Sequence, residues 1–309
     1  MSAKSEQLER EEKLEQELEG AADEVCASCG TAAVDDVTLK KCACNLVKYC
    51  SVDCQKNDRS RHKKACRKRL TELHDKQLFT QPDGCHWGEC PICCLPLPID
   101  MSKSTMMACC CKIICNGCDY ANGKRETEEG LEHRCAFCRE PAADTDEELE
   151  KRTMERIKKN DPVAMIKMGK KHLKEGDYGN AVEYFTKAAE LGAAEANFLL
   201  GTSYYEGIGV EKDEKKARPH LEQAAIGGHP RARGVLAAHE MKNGRLERAA
   251  KHFIISANLG CDISLQQIKE LFVRGIVTKE DYTAALRGYQ AAVDAAKSPE
   301  RDEAEEAKK

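Results

Sequence analysis

The residues best able to do chemistry in this chain are cysteines, and they fall in two dense clusters. The first cluster occupies residues 26–66 and consists of four closely spaced pairs: Cys26 and Cys29, Cys42 and Cys44, Cys50 and Cys54, and His62 and Cys66. Two side chains from one tight turn can reach one ion, and structural zinc is held by four such Cys or His ligands. Eight candidate ligands therefore predict two tetrahedral zinc sites with no open position.

The second cluster occupies residues 90–138 and again offers four ligand groups: Cys90 and Cys93, the triplet Cys109, Cys110 and Cys111, Cys115 and Cys118, and Cys135 and Cys138. Long loops separate the first group from the second and the third group from the last. We predict two more ions here, so about four zinc ions for the chain. Because protein ligands fill every position, such ions stabilise the fold and do no chemistry.

Disulfides are the alternative explanation for so many cysteines. The chain holds 19 of them, and all but one lie between Cys26 and Cys138. Cysteines two residues apart are strained as partners, and the Glu-rich stretch Met1–Gly20 lacks the apolar region of a secretory signal. We therefore expect reduced, metal-bound thiolates in a cytoplasmic or nuclear protein, with Cys85, Cys94 and Cys261 as free thiols.

The second half of the first cluster carries a family resemblance. The run Tyr49-Cys50-Ser51-x-x-Cys54-Gln55, followed by His62-Lys63-x-x-Cys66, resembles the MYND zinc finger over roughly residues 25–69. The resemblance implies interleaved sites: one formed by Cys26, Cys29, Cys50 and Cys54, the other by Cys42, Cys44, His62 and Cys66. Arg59 stands where the family usually has a Trp that lines a peptide groove, which leaves peptide binding in the usual manner open.

The second cluster resembles a RING finger in an all-cysteine variant, over about residues 90–139. The resemblance rests on Cys90-Pro-Ile-Cys93, Ile114-Cys115-Asn-Gly-Cys118 and Cys135-Ala-Phe-Cys138-Arg139. It implies that Cys90, Cys93, Cys115 and Cys118 share one ion, and that Cys135 and Cys138 share the other with two of the triplet. Lys112 occupies the place of a common His ligand, so we favour Cys109 and Cys110, with Cys111 spare. Metal binding would supply the folding energy, on the order of 10 kcal/mol per site.

After Asp144 the composition changes, because cysteine nearly vanishes and Ala, Gly, Leu and Lys dominate. Three copies of one helix end recur a little over thirty residues apart, near Gly192, Gly227 and Gly260. Helix pairs are predicted between them: 163–175 with 178–191, 194–206 with 212–226, 231–242 with 246–259, and a degenerate fourth pair, 264–273 with 279–296. Small residues (Gly169, Gly201, Ala237) recur where helices must approach closely. The stretch from Leu200 to Ala217 resembles the Sel-one-like subclass of tetratricopeptide-type repeats.

The predicted fold class is mostly α: a C-terminal α-solenoid of helix pairs preceded by two small zinc-stabilised, cross-braced α+β modules. We predict seven segments: a charged helical or disordered N-terminus (1–24), a MYND-type finger (25–70), a helix and linker (71–88), a RING-type finger (89–141), an acidic linker (142–160), Sel-one-like repeats (161–297) and a disordered acidic tail (298–309).

Charge and composition narrow the class of partner. Charged residues make up 33% of the chain, aromatics 5%, and the net charge is −4, which is typical of a soluble protein whose overall field does not attract nucleic acid. The basic segment Lys40–Lys76 could contact phosphate, but we favour a solvated helix end that offsets the charge of the zinc-thiolate sites. We expect no membrane span, because no segment approaches about twenty apolar residues.

The chain shows no Gly-rich phosphate loop, nucleophile motif or open metal position, which leaves three functions, of which nucleic-acid binding is the least favoured. We favour a scaffold or adaptor whose zinc modules and repeats each hold a protein partner. The alternative is a RING-type ubiquitin ligase, so enzyme status stays open. By resemblance, Ile92 and Arg139 would contact a ubiquitin-conjugating enzyme and its ubiquitin, whereas Ala136 departs from the usual Pro.

Overall fold

The computed structural model describes residues 25–33, 38–143 and 145–308, so the predicted charged segment at residues 1–24 lies outside the described part of the chain. The chain divides into two compact units, one ending at Leu78 and one spanning Phe79–Lys309. Among the helices that the structure describes, none combines the length and the apolar character needed to cross a bilayer.

The first unit is a short hairpin followed by one long helix. Strands β1 (Lys40–Lys41) and β2 (Lys48–Tyr49) pair antiparallel, and helix α1 runs over Val52–Leu78. Its buried core consists of three cysteines and Tyr49. A core of this size buries too little apolar surface to fold without a further source of energy, as expected for a metal-stabilised module.

The second unit begins with another cysteine-rich module. A 3₁₀ turn (Met101–Lys103) leads into β3 (Ser104–Met106), which pairs antiparallel with β4 (Ile113–Cys115), and α2 (Asn116–Glu128) follows directly. Cys90, Leu97, Ile114 and Cys115 form its buried core. Because Cys115 is both the last strand residue and the N-cap of α2, strand and helix together fix the direction of its thiol.

The rest of the second unit is helical, as predicted for the solenoid. Its repeat helices are α4 (Pro162–Glu175), α5 (Tyr178–Glu190), α6 (Ala194–Glu206), α7 (Glu214–Ile226), α8 (Pro230–Lys242), α9 (Leu246–Asn258), α10 (Asp262–Val273) and α11 (Lys279–Ala295). All ends lie within two residues of the predicted ones. Asp161 and Asp213 cap α4 and α7 through their side chains, which explains why these helices begin where the sequence indicates.

Close approach of paired helices requires the predicted small residues. A Cβ on Gly169 would lie 2.5 Å from a ring carbon of Phe185, and one on Gly201 would lie 2.7 Å from Leu221 Cγ. Ala237 occupies the corresponding place in the third pair and is fully buried. In the first two pairs a large side chain of the second helix therefore lies against a glycine of the first, and in the third pair Ala237 shares a core cluster with Phe253.

Two further helices lie where the sequence predicts a linker and a disordered tail. Helix α3 (Asp146–Lys158) falls in the acidic linker: Thr145 caps it, three acidic residues open it, and Thr153 is buried. Helix α12 (Pro299–Glu306) falls in the acidic tail, where Ser298 caps it and Arg301 and Ala304 are buried. Acidic residues near a helix N-terminus favour both helices through the dipole.

Candidate metal centres

The structure brings the sixteen predicted ligand residues together in four groups of four. Within each group the ligand atoms lie within 4.8 Å of one another. We call these groups quartet one (Cys26, Cys29, Cys50, Cys54), quartet two (Cys42, Cys44, His62, Cys66), quartet three (Cys90, Cys93, Cys115, Cys118) and quartet four (Cys109, Cys110, Cys135, Cys138). In each module two quartets interleave along the chain, so closing one site also fixes the loops of the other.

The spacing between ligand atoms suits a tetrahedral zinc ion. Four sulfurs at about 2.3 Å from an ion lie about 3.8 Å apart, whereas a disulfide would bring two of them to about 2.05 Å. The separations between ligand atoms in the structure run from 3.1 to 4.0 Å: Cys29–Cys50 3.6, Cys50–Cys54 3.6, Cys42–Cys66 3.7, Cys44 Sγ–His62 Nε2 3.1, Cys90–Cys118 3.8, Cys93–Cys115 3.8, Cys110–Cys135 4.0 and Cys109–Cys138 3.3 Å. These donor sets fit structural zinc.

Three of the ligand pairs lie in backbone turns of one type. In each, the N–H of the first cysteine donates to the carbonyl five residues later, and the residue four positions on has a positive φ. The turns start at Cys26, Cys90 and Cys135, and their left-handed residues are Gly30 (φ 72°), Cys94 (57°) and Arg139 (63°). Backbone N–H groups inside such a turn point at the first sulfur: those of Phe137 and Cys138 lie 3.4 and 3.5 Å from Cys135 Sγ.

A turn of the same type places Cys111 apart from the other two cysteines of the triplet. The N–H of Cys111 donates to the carbonyl of Met107, and Cys111 has a φ of 55°, so it takes the left-handed place that Cys94 and Arg139 occupy in their turns. Cys111 is buried away from quartet four, whereas Cys109 and Cys110 reach Cys138 and Cys135. The structure thus groups the two members of the triplet that the sequence favours.

The thiols of one quartet differ strongly in their readiness to ionise. Burial alone would raise the pKa of Cys26, but hydrogen bonds from the N–H groups of Cys50, Cys29 and Ser28 lower it to about 6. Contacts with the Cys29 and Cys54 thiols raise the pKa of Cys50 to about 12. One thiolate forms easily and discourages the next, so a divalent cation is needed for all four to be thiolates.

Charged groups behind the ligands hold the first module together. The buried carboxylate of Asp58 accepts hydrogen bonds from Tyr49 Oη (2.7 Å) and Arg61 Nε (2.8 Å). Arg61 also donates to the carbonyl of Ala27 at 2.7 Å, which ties α1 to the first ligand turn. Asp58 could not be identified from the sequence, because an acidic residue among the many basic residues of α1 resembles a solvated side chain.

In the second module, Arg139 is held within the chain. Its guanidinium donates to Asn122 Oδ1 at 2.7 Å and to Glu126 Oε1 at 3.1 Å, and the Glu126 side chain is only 2% exposed. His133 Nδ1 and the N–H of Arg134 also lie within 2.9 and 3.3 Å of Glu126 Oε2. Glu126 therefore joins α2 to the last ligand turn, a role that no local sequence pattern indicates.

A further group of donor atoms, His86, Glu195 and His229, does not fit a metal ion. The Nε2 atoms of both histidines approach Glu195 Oε2, at 3.3 and 2.9 Å, but the two rings are stacked with centroids 4.1 Å apart, so their lone pairs do not converge. His229 Nδ1 accepts the N–H of Ala232, which leaves the proton on Nε2, and burial lowers the pKa of His229 to about 4. Lys170 Nζ completes this network at 2.6 Å from Glu195 Oε1.

Fold and sites together define a zinc-finger protein with a helical-repeat solenoid. Comparison with known families identifies two of the modules. The MYND finger profile matches residues 26–66, and the Sel1 repeat profile matches residues 162–192 and 194–229. The chain thus contains a MYND finger and Sel1 repeats, as the sequence predicts. The helix pairing continues beyond the matched repeats through Asn258.

The curated relatives and solved structures that resemble this chain match it over only part of its length. "Putative beta-lactamase HcpC" from two strains of Helicobacter pylori is 45% identical over 56 residues (18% of this chain, 19% of the relative) and 44% identical over 52 residues (17% and 18%). The chain thus spans about a fifth of the length of these curated relatives.

Among solved structures, the protective antigen c5321 of uropathogenic Escherichia coli, described as displaying an SLR fold, is 25% identical with a TM-score of 0.41. The match covers 48% of this chain and 33% of that protein's chain. A Sel1 repeat protein from Oxalobacter formigenes is 24% identical with a TM-score of 0.42, covering 58% and 72%.

Proposed function

We propose that the protein is a zinc-stabilised adaptor that holds protein partners through its repeats and its cysteine-rich modules. The observation that carries the proposal is that each quartet supplies four protein ligands. Four such ligands leave a zinc ion no open position for a substrate or water, so its role is structural. In this proposal each quartet holds one ion, and a cytoplasmic or nuclear location is proposed with it, because thiolates stay reduced in those compartments.

Exposed apolar side chains mark where partners would bind. Ile92 and Phe137, at the tips of two ligand turns, are 42% and 41% exposed, and Ile263 and Val273 project from α10. Apolar side chains held out on rigid elements are typical of the buried centre of protein interfaces.

Affinity purification of the full-length protein with surface variants tests the adaptor role. We expect Ile92→Ala with Phe137→Ala to lose one set of partners, and Ile263→Glu with Val273→Glu to lose another, at unchanged zinc content. The matched control is Lys279→Ala, an exposed change at the start of α11. Recovery of the same partners by both double variants would contradict two separate binding surfaces.

A RING-type ubiquitin ligase is the second candidate, supported by the exposed Ile92 in the first turn of quartet three. The pairing of Arg139 with Asn122 and Glu126 weighs against it, because that guanidinium would have to release both partners to reach ubiquitin. We therefore rank it below the adaptor.

Ubiquitin discharge from a panel of conjugating enzymes decides between the two. A ligase would require the zinc-loaded full-length chain to accelerate discharge and Ile92→Ala to abolish that acceleration without loss of zinc. Absence of acceleration with every enzyme of the panel leaves the adaptor proposal alone.

A further inference from the structure

The C-terminal helix α12 folds back onto quartet three. Its Arg301 side chain is buried, with the residue 7% exposed. Nη1 donates to the carbonyls of Pro96 (2.8 Å) and Ala296 (2.6 Å), and Nη2 donates to that of Leu95 at 3.3 Å. Nη2 also lies 3.5 Å from Cys93 Sγ. A residue near the end of the chain thus contacts the first ligand turn of a zinc centre some 200 residues earlier.

Charge explains why a cation would be buried at this place. A zinc ion with four thiolates carries two net negative charges, and a buried net charge is costly unless a partner offsets it. The planar Arg301 guanidinium can hydrogen-bond the turn's carbonyls while its charge faces the sulfurs. Quartet four, the other all-cysteine group of this module, has no such contact with Arg301 among the described residues, so it serves as an internal reference.

Packing shows independently that α12 is fitted to the module. A Cβ on Gly117, which lies in α2 between ligands Cys115 and Cys118, would sit 2.8 Å from Arg301 N and 2.9 Å from Arg301 Cγ. Ion pairs flank this contact, with Lys124 Nζ 2.6 Å from Glu303 and Lys103 Nζ 2.5 Å from Glu305. The absence of a side chain at residue 117 is what lets the α12 backbone come so close.

We propose that Arg301 is the counter-ion of the quartet-three zinc centre and that α12 is a structural part of this module. Arg301 stabilises the tetrathiolate site and slows exchange of its ion. It acts through the ligands, so it is a positioning residue for the metal. This role does not depend on whether the protein acts as an adaptor.

Cysteine alkylation of the zinc-loaded full-length protein, with excess chelator and mass spectrometry of the individual peptides, measures this directly. We expect Arg301→Met to label Cys93 and Cys115 at least about tenfold faster than wild type, while Cys110 and Cys135 of quartet four keep their rates. Arg301→Lys keeps the charge and should recover most of the protection. The matched control is Arg287→Met, since Arg287 is an exposed arginine of α11.

The pattern of rates separates a counter-ion from a packing contact. Arg301→Lys against Arg301→Met tests the charge, and Arg301→Gln replaces the Met variant if that variant does not fold. Gly117→Ala displaces α12 without removing the Arg301 charge, so it tests the docking of α12, and we expect it to accelerate labelling of quartet three alone. Equal rates for Arg301→Met and Arg287→Met would overturn the proposal. Equal labelling rates for the Arg301→Met and Arg301→Lys variants would also overturn it, because they would indicate a packing contact. The same acceleration in quartets three and four would overturn it too, because it would indicate general unfolding.

Discussion

At the scale of single residues, what decides the packing of the repeats is the absence of side chains at particular positions. Gly201 of α6 faces Leu221 of α7, and an added Cβ would lie 2.7 Å from Leu221 Cγ and 3.2 Å from its backbone N. Gly234 of α8 is also inside a helix, yet a Cβ there would have no atom within 4 Å. The same substitution at the two sites therefore has opposite consequences.

We expect Gly201→Ala to lower the free energy of unfolding by about 1–3 kcal/mol, because the methyl group must displace Leu221 and the α7 backbone. Gly234→Ala, its matched control, should raise the stability by about 0.5–1 kcal/mol, since alanine favours the helix and meets open space. Urea unfolding of zinc-saturated protein, followed by circular dichroism, measures both. A neutral or stabilising Gly201→Ala would contradict the close approach of α6 and α7.

At the scale of elements, a buried carboxylate joins three repeat helices. Glu240 of α8, whose side chain is 2% exposed, pairs with Arg245 in the following turn and lies 3.5 Å from both Arg218 of α7 and Arg248 of α9. Burial alone would raise the pKa of Glu240, but the hydrogen bond from Arg245 and the charges of Arg248 and Arg218 lower it below the usual value. The ionised form is therefore the one that stabilises the fold.

Glu240→Gln should lower the free energy of unfolding at pH 7 by about 1.5–3 kcal/mol, the range for hydrogen bonds to charged groups. Because the folded pKa is depressed, this contribution is complete above the unfolded pKa of about 4.3 and is lost as the pH falls through the lower folded value. The stability difference between wild type and variant should thus shrink from pH 5 to pH 3 in urea titrations. A difference that stays constant over this interval would show that Glu240 acts through packing only.

Some of these elements can be predicted from the sequence and others cannot. Helix pairs could be predicted because their apolar periodicity, Asp caps and Gly ends are local signals, and ligand pairs could be predicted because Cys spacing is local too. The sequence predicts a linker and a tail where α3 and α12 form, because the stability of these helices depends on partners elsewhere in the chain: Arg152 donates to Pro141 O at 2.7 Å, and Arg301 to Pro96 O. The sequence does not indicate Glu126 and Arg301 as supports of the sites for the same reason: each resembles part of a solvated charged run.

At the scale of the whole molecule, zinc content is the first quantity to measure. We expect about four zinc ions per chain, one for each quartet, and no disulfides among the sixteen ligand residues. Native mass spectrometry gives the ion count, and alkylation of the denatured protein without reductant gives the free thiols. Fewer than two ions per chain, or mass-shifted disulfide-linked peptides, would refute the zinc assignment.

Zinc removal should also change the local stability of the segments that contact the second cysteine-rich module, because this module and the solenoid belong to one compact unit. The N–H of His86 donates to the carbonyl of Gly228 at 3.1 Å, and α12 is anchored on quartet three by Arg301. We expect chelation to unfold this module, because two of its four buried core residues are ligands, so these two contacts lose their partner. The repeat helices themselves are held by their own apolar core and should keep most of their helical signal.

Hydrogen exchange of the full-length protein, with and without chelator, tests this coupling. We expect amide protection of α12 and of the turn at Gly227 and Gly228 to fall by at least about tenfold on zinc removal, since local opening no longer has to break the contacts to the module. Protection of α5, which packs on the neighbouring repeat helices, should change little and is the internal control. Unchanged protection in α12 would mean that this helix is stable on the solenoid alone, and a uniform loss through α5 would mean that the solenoid cannot fold without the zinc module.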